Sequence, residues 1–208
     1  MTTPTIRPAR QDDTAAVYNV CLRTAADGDD ATGRYANPDL LGHIWAGPYL
    51  ALQPQYALVL EDDEGVAGYT LGALDSRAFE QLCAEQWWPS LQRRIKDPLG
   101  GPASWSPDQR LAHLVHHPPY APEPVVARYP SHLHIDLLPR GQGKGHGRTL
   151  IESLLDLLRA EGSGGVHLGV SPTNVRAQGF YRALGFVDLQ ARPNVLFMGR
   201  DIPPGDQV

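Results

Sequence analysis

The sequence predicts a mixed α/β fold, a sheet with helices on both faces, and three observations predict it. Residues 132–138 alternate polar and apolar side chains, the two-residue period of a strand with one buried face. After a glycine-rich turn, Leu150, Ile151, Leu154, Leu155 and Leu158 fall on one stripe of a helix. Two β-rich runs, 56–60 and 66–72, flank the acidic, glycine-ended segment 61–65, the sequence form of a hairpin. Strand runs and helical stripes alternating along one chain assemble as a sheet packed between helices.

Each element follows from its own signals. Residues 5–9 read as a short first strand. Asp12 or Asp13 offers an N-cap for a helix carrying Ala16, Val17, Val20 and Cys21 on one face. A polar loop over 27–33 leads to a second helix from about 38 to 50, and then to the hairpin. Residues 77–131 leave the strand rhythm. They hold a helix around 79–95 with Trp87 and Trp88, then a Pro/His-rich stretch over 113–130, and read as an insertion covering one face of the sheet. From 131 the order is strand, glycine turn, helix, strand over 166–170, a helix opened by Asn174 and stopped by Gly185, and a final strand pair at 186–189 and 195–198. The chain is expected to be a single domain over 1–208, with an N-terminal part at 5–76, the insertion at 77–131 and a core at 132–200.

Composition excludes several classes. A net charge of −5 argues against a nucleic-acid binder, which needs a basic face to displace counterions from phosphates. No run reaches the roughly 18 apolar residues of a membrane helix, and the N-terminus has no apolar core segment, so no secretory signal and no membrane association are expected. Cytoplasm is the default compartment. Cys21 and Cys83 are too few for a disulfide framework and too widely spaced for a metal site. His113, His116 and His117 lie among prolines with no matching Cys or acidic partner nearby, so no metal is expected. Lys occurs only at Lys96 and Lys144 against many Arg, a bias that points to a GC-rich bacterial genome.

The chemistry lies in the turn. A strand, a glycine-rich turn and a helix make an anion site, because glycines bring backbone N–H groups close to the ligand and the helix start adds partial positive charge. Arg140, Lys144 and Arg148 stand at the same place, so the ligand is expected to carry phosphate. A Walker loop fails because Gly145 follows Lys144, and the dinucleotide fingerprint fails because Arg148 stands where its third glycine belongs. What remains is Q-x-x-G-x-G, formed by Gln142, Gly145 and Gly147 after Pro139. A second pattern, N-x-x-A-x-x-[FY]-Y-x-x-x-G-F, runs from Asn174 through Ala177, Phe180, Tyr181 and Gly185 to Phe186. Together they resemble the GCN5-related N-acetyltransferases (GNAT), firmly over 131–200 and more weakly over 5–75. Residues 129–139 and 165–170 resemble bacterial acetyltransferases related to the C-terminal domain of O-GlcNAcase. The animal domain is described by the loss of its glycine-rich loop, which this sequence keeps.

The resemblance implies a mostly antiparallel sheet of six to seven strands, with the insertion between the third and fourth, and acetyl-CoA as cofactor. It implies that Gln142, Gly143, Lys144, Gly145, His146, Gly147 and Arg148 hold the diphosphate, and that backbone groups of Leu137 and Leu138 pair with the pantetheine amide. Asn174, Ala177, Phe180, Tyr181 and Arg182 would line the rest of the cofactor. Asn174 and Tyr181, seven apart, share nearly one helix face about 10 Å along the axis. Transfer of acetyl to an amine needs a neutral nucleophile, a polarised thioester carbonyl and a proton for the leaving thiolate. Tyr181 is the expected proton donor. Asp136 is the expected base, provided burial raises its affinity for the proton, and His134 on the same strand face competes with it. The loop bearing Asp27, Asp29 and Asp30 would suit a cationic amine. The acceptor's identity and the choice between monomer and homodimer stay open. The rival readings are a non-catalytic acetyl-CoA or CoA sensor and a protein-binding module docking through the tryptophan-rich insertion.

Overall fold

A computed structural model of the chain describes residues 3–205. Its strands are β1 (Thr5–Pro8), β2 (Ala57–Asp62), β3 (Gly65–Ala73), β4 (Ser131–Leu137), β5 (Gly165–Val170), β6 (Val187–Arg192) and β7 (Val195–Asp201). They form a seven-stranded sheet in the order β1-β2-β3-β4-β5-β7-β6. Neighbours are antiparallel except β4 and β5, which run parallel. The expected mixed, mostly antiparallel sheet with an insertion between its third and fourth strands is what the chain forms.

Strand alternation feeds two cores. On one face Val59, Tyr69 and Leu71 pack with α1 (Thr14–Thr24), α2 (Leu40–Trp45) and α3 (Gly47–Leu52). On the other, Leu58, Leu60 and Ala67 meet α8 (His146–Ala160) and α9 (Val175–Ala183). The α8 stripe read from sequence is buried throughout, Leu150, Ile151, Leu154 and Leu158 at 0% exposure. Each such side chain contributes about 1.5–3 kcal/mol relative to exposure. No helix among the described residues is long and apolar enough to cross a membrane.

Three local expectations are corrected. The helix expected over 38–50 is two short helices, α2 and α3, broken at Ala46 (φ −129°, ψ −46°), with Pro48 in the first turn of the second, where a missing N–H costs nothing. Asp13 does not cap α1 with its side chain. Its carboxylate accepts from Arg7 (2.7 and 2.9 Å) and from the Arg10 N–H (2.7 Å), tying the first strand to the helix start. The helix expected around 79–95 is α4 (Ser76–Leu82), a wider π turn over Cys83–Trp87, and α5 (Trp88–Gln92) with Pro89 in its first turn. The stretch beyond it, which showed no clear period, also folds as helix: α6 (Pro107–His116), opened by a Ser106/Gln109 capping box, and α7 (Glu123–Arg128). Phe79, Trp88, Leu91, Leu111 and Val115 bury into the α1–α3 core. Trp88 is thus core rather than an exposed docking patch.

β4 and β5 register only at Ser131↔Val166 and His132↔His167. The closed end is fixed by Ser131 Oγ on Ser163 Oγ (2.7 Å), just before β5, and by His167 Nδ1 on Tyr129 O (2.7 Å). Beyond it the strands part, and the space between them opens into the site.

Candidate active site

A cleft of about 1000 Å³ runs from the parted strands to the start of α8. At its α8 end, Gly143 (φ 74°) and Gly145 (φ 85°) take left-handed conformations, and a Cβ built on either would meet nothing within 4 Å. The cradle is therefore open on its outer side. Gln142 Nε2 donates to Leu137 O (2.7 Å) and pins the loop to the end of β4. The first intrahelical bond of α8 is Thr149 N–H to Gly145 O (3.1 Å), and no side chain caps the helix. The N–H groups of Gly147 and Arg148, both lining the cleft, are thus left for a ligand. A Cβ on Gly147 would stand 3.1 Å from Phe180 Cζ, so glycine there lets α8 and α9 approach.

The cations sort differently from the sequence reading. Arg148 lines the cleft, but Arg140 does not serve it: its Nε donates to Asp62 (2.9 Å) and its guanidinium to Val66 O (3.0 Å), bracing the β2–β3 turn. Lys144 Nζ donates to Arg140 O (3.2 Å) at the surface. Arg176, at an unspecified position of the second pattern, lines the cleft instead. Open glycines, unused amides and two arginines fit a diphosphate.

The backbone at the end of β4 brings another correction. Leu138 N–H donates to Ala67 O and Leu138 O accepts from Gly141 N–H, both at 2.8 Å, and its side chain is buried. The Leu138 N–H is therefore already used within the sheet, and Leu138 does not line the cleft. Leu137 does line the cleft.

Deeper in the cleft lie the acid–base groups. Asp136 faces Tyr69 across the β3–β4 register, and the Tyr69 hydroxyl donates to its Oδ2 at 2.5 Å. Burial pushes the Asp136 carboxyl up from 3.8 to about 6, against the opposing pull of the Tyr69 hydrogen bond. His134 lies under Trp45 (rings 5.7 Å apart) and Tyr49 (5.3 Å), and burial, then His167, lowers it to about 4. His132 is held on both nitrogens, by Ser76 Oγ and by the Tyr49 hydroxyl, each at 2.7 Å. Ser76 donates to Pro130 O, so it accepts from His132 Nδ1–H, and Tyr49 donates to Nε2. Tyr181 is buried, and burial followed by the nearby Asp136 charge raises its phenol. Cys21 also lines the cleft, its thiol pushed by burial to about 12 and therefore protonated.

Comparison with known proteins decides the family. The profile of the Acetyltransferase (GNAT) family matches residues 108–186. The crystal structure of SsHAT is 39% identical, with a TM-score of 0.89, over 97% of this chain and 100% of that one. The chain belongs to the GNAT acetyltransferase family. Protein O-GlcNAcase of Rattus norvegicus is 29% identical over 95% of this chain, and that of Mus musculus matches equally. The chain spans only 22% of the length of these curated relatives. The structure of yncA from Salmonella typhimurium with its cofactor acetyl-CoA shares the fold at a TM-score of 0.55 and 16% identity.

In this GNAT chain the cleft gathers Asp136, His134 and Tyr181 with Leu137, Gln142, Gly143, Gly145, Gly147, Arg148, Asn174, Ala177 and Phe180. Asn174 also caps α9, its Oδ1 accepting from Ala177 N–H (3.0 Å). Lys144, His146 and Arg182 do not line the cleft; Arg182 pairs with Asp188 (2.8 Å). The acidic loop divides. Asp27 (φ 55°) lines the cleft, where its Oδ2 accepts from Thr173 Oγ1 (2.8 Å). Asp29 and Asp30 do not line it, and Asp30 is occupied by Thr32 N–H (2.7 Å) and Arg23 (3.5 Å). Sequence reasoning missed Tyr69, Thr24, Trp45 and Arg176. Only Arg176 left a signal, lying inside a recognised pattern.

Proposed function

We propose that this chain transfers the acetyl group of acetyl-CoA to a primary amine by direct attack in a ternary complex. The observation that carries the reading is Asp136, a half-buried carboxylate moved to about 6, in one cleft with Tyr181 and an open glycine cradle. Bound acetyl-CoA supplies an activated thioester. Gly143, Gly145 and the free N–H groups at the start of α8 would hold its diphosphate, with Arg148 and Arg176 beside them.

A base near neutrality must be both ionised and willing to take a proton. Asp136 meets both conditions at pH 7. His134, at about 4, is neutral but a weaker base by about a hundredfold. Asp136 therefore accepts the proton from the attacking nitrogen, and His134 with Trp45 shapes the wall beside it. The raised Tyr181 phenol keeps its proton across the working range and offers it to the departing sulfur. Protonated Cys21 is a poor nucleophile, which favours direct transfer over an acyl-cysteine route. Asp27, with its charge at the cleft rim, favours a cationic acceptor, small molecule or peptide. The 77–131 segment acts as an insertion that backs this acceptor side.

The test is release of free CoA thiol from acetyl-CoA against a panel of primary amines, with calorimetry for CoA. Amine-dependent turnover that falls in Asp136→Asn and Tyr181→Phe is expected. Tight CoA binding with no amine-dependent turnover would leave a sensor, and no binding at millimolar CoA would remove the site.

A further inference from the structure

Outside the cleft lining, the insertion brings together three side chains that sequence reading left unpaired. α6 presents His113, and His117 follows four residues later at its C-cap, so both rings project from one face of the helix end. Asp97 comes from the preceding loop and supplies the acidic partner that the sequence appeared to lack. His113 Nδ1 lies 3.2 Å from Asp97 Oδ1, and His117 Nε2 lies 2.8 Å from Asp97 Oδ2. One ligand atom from each residue lies within 4.8 Å of the other two.

We propose that Asp97, His113 and His117 bind a borderline divalent transition ion, Zn²⁺ being the type case. Two imidazole nitrogens and one carboxylate oxygen suit Zn²⁺, Ni²⁺ or Cu²⁺, whereas Mg²⁺ and Ca²⁺ select oxygen alone. Ligand atoms spread over less than 4.8 Å can converge on bonds of about 2.0–2.2 Å with small side-chain rotations. The three side chains are 36 to 55% exposed, so an ion can enter and complete its coordination with water.

The surroundings already hold the ligands in place. His116 Nε2 bonds Ile95 O (2.8 Å), fixing the chain two residues before Asp97 to the end of α6. The Trp105 ring packs on His113 at 4.8 Å, and its Nε1 donates to Leu99 O (3.0 Å), closing the loop from the other side. Such supporting contacts orient metal ligands before the ion arrives. Bound there, the ion would clip the 97–105 loop to α6, which packs on α2, the helix carrying Leu41 and Trp45 of the cleft wall. The site is structural in this reading, and it does not depend on the acetyl-transfer proposal.

Untagged protein, stripped with EDTA and dialysed, is titrated with ZnCl₂ by calorimetry and with NiCl₂ while tryptophan fluorescence is followed. One equivalent of Zn²⁺ is expected, with affinity lowered about tenfold or more in His117→Ala and in Asp97→Asn. Ni²⁺ should quench fluorescence in the parent protein and much less in Trp105→Phe, which should still take up one Zn²⁺. Circular dichroism establishes that each variant is folded, and His117→Gln replaces His117→Ala if it is not. Absence of stoichiometric uptake, or uptake unchanged in both ligand variants, would overturn the proposal.

Discussion

Replacing Asp136 with Asn should make the protein more stable and less active at the same time. The side-chain oxygen of Asn still accepts from Tyr69, so the change removes charge and little else. A carboxyl moved from 3.8 to about 6 prefers its protonated form in the folded chain by about 3 kcal/mol, since each tenfold change in proton affinity is worth about 1.4 kcal/mol. The sign follows from where the proton sits. The folded-state value is raised, so the stability linked to this group is fully present below 3.8 and is lost as pH rises through about 6. At pH 8 the parent protein bears the whole cost of a buried charge and the variant does not. The gain should be up to about 3 kcal/mol, or roughly 6–10 °C in Tm for a chain of this size. It should fall to about half at pH 5 and to about a fifth at pH 4, where the unfolded chain also begins to hold the proton. Thermal unfolding of both proteins from pH 4 to 8 measures it. In parallel, kcat/KM of the parent should rise with pH through about 6, and that limb should disappear in a variant slowed by about 10²–10⁴-fold. A variant no more stable than the parent at pH 8, or more stable by the same amount at pH 5 and 8, refutes the claim that burial holds this carboxyl up.

Removing the Tyr69 hydroxyl (Tyr69→Phe) takes away a bond that holds the Asp136 carboxyl down, so the acid limb of the rate–pH profile should move above 6 while CoA affinity stays unchanged. Tyr181→Phe should lower kcat by about a hundredfold or more with acetyl-CoA binding preserved, as read by calorimetry and single-turnover assay. Gly145→Glu should abolish CoA binding. It places an L side chain at φ 85° in the cradle and a like charge beside the diphosphate, and unchanged affinity would sink the cradle. Arg140→Ala should lower Tm by loosening the β2–β3 turn yet leave CoA affinity within about twofold, the outcome expected of a partly buried structural ion pair. A tenfold loss of affinity would return Arg140 to the phosphate site.

Most of the fold was legible because its signals are local. The β4 alternation, the α8 stripe and the glycine-ended hairpin turn each lie within a dozen residues, and each element formed where its period indicated. The failures share a cause as well. Ala46 breaks the second helix because two apolar surfaces must both meet the α1–β3 core, a demand set by tertiary packing and absent from propensity. The stretch around α6 and α7 is rich in proline, yet Pro107 and Pro124 fall in first turns, where proline fits a helix.

The site divides along the same line. Tyr181 and the glycines could be named from the two patterns that resemble the GNAT family, and Asp136 from the strand alternation that sets it on one face with His134. What makes Asp136 a base could not, since its partner Tyr69 is 67 residues away and becomes its neighbour only through the β3–β4 register. Arg140 shows the converse: three cations beside one turn looked equivalent in sequence, and a carboxylate 78 residues away, Asp62, withdrew one of them. His113 and His117 stood in a proline-rich stretch that gave no helical signal, so α6 had to form before they shared a face, and Asp97, only 16 residues before His113, needed the loop to fold back. Spacing reveals which groups share an element. The proton affinity or ion preference of those groups is set by the element packed opposite, so the test of each role is a variant of the opposite residue, Tyr69 for Asp136 and Asp97 for the two histidines.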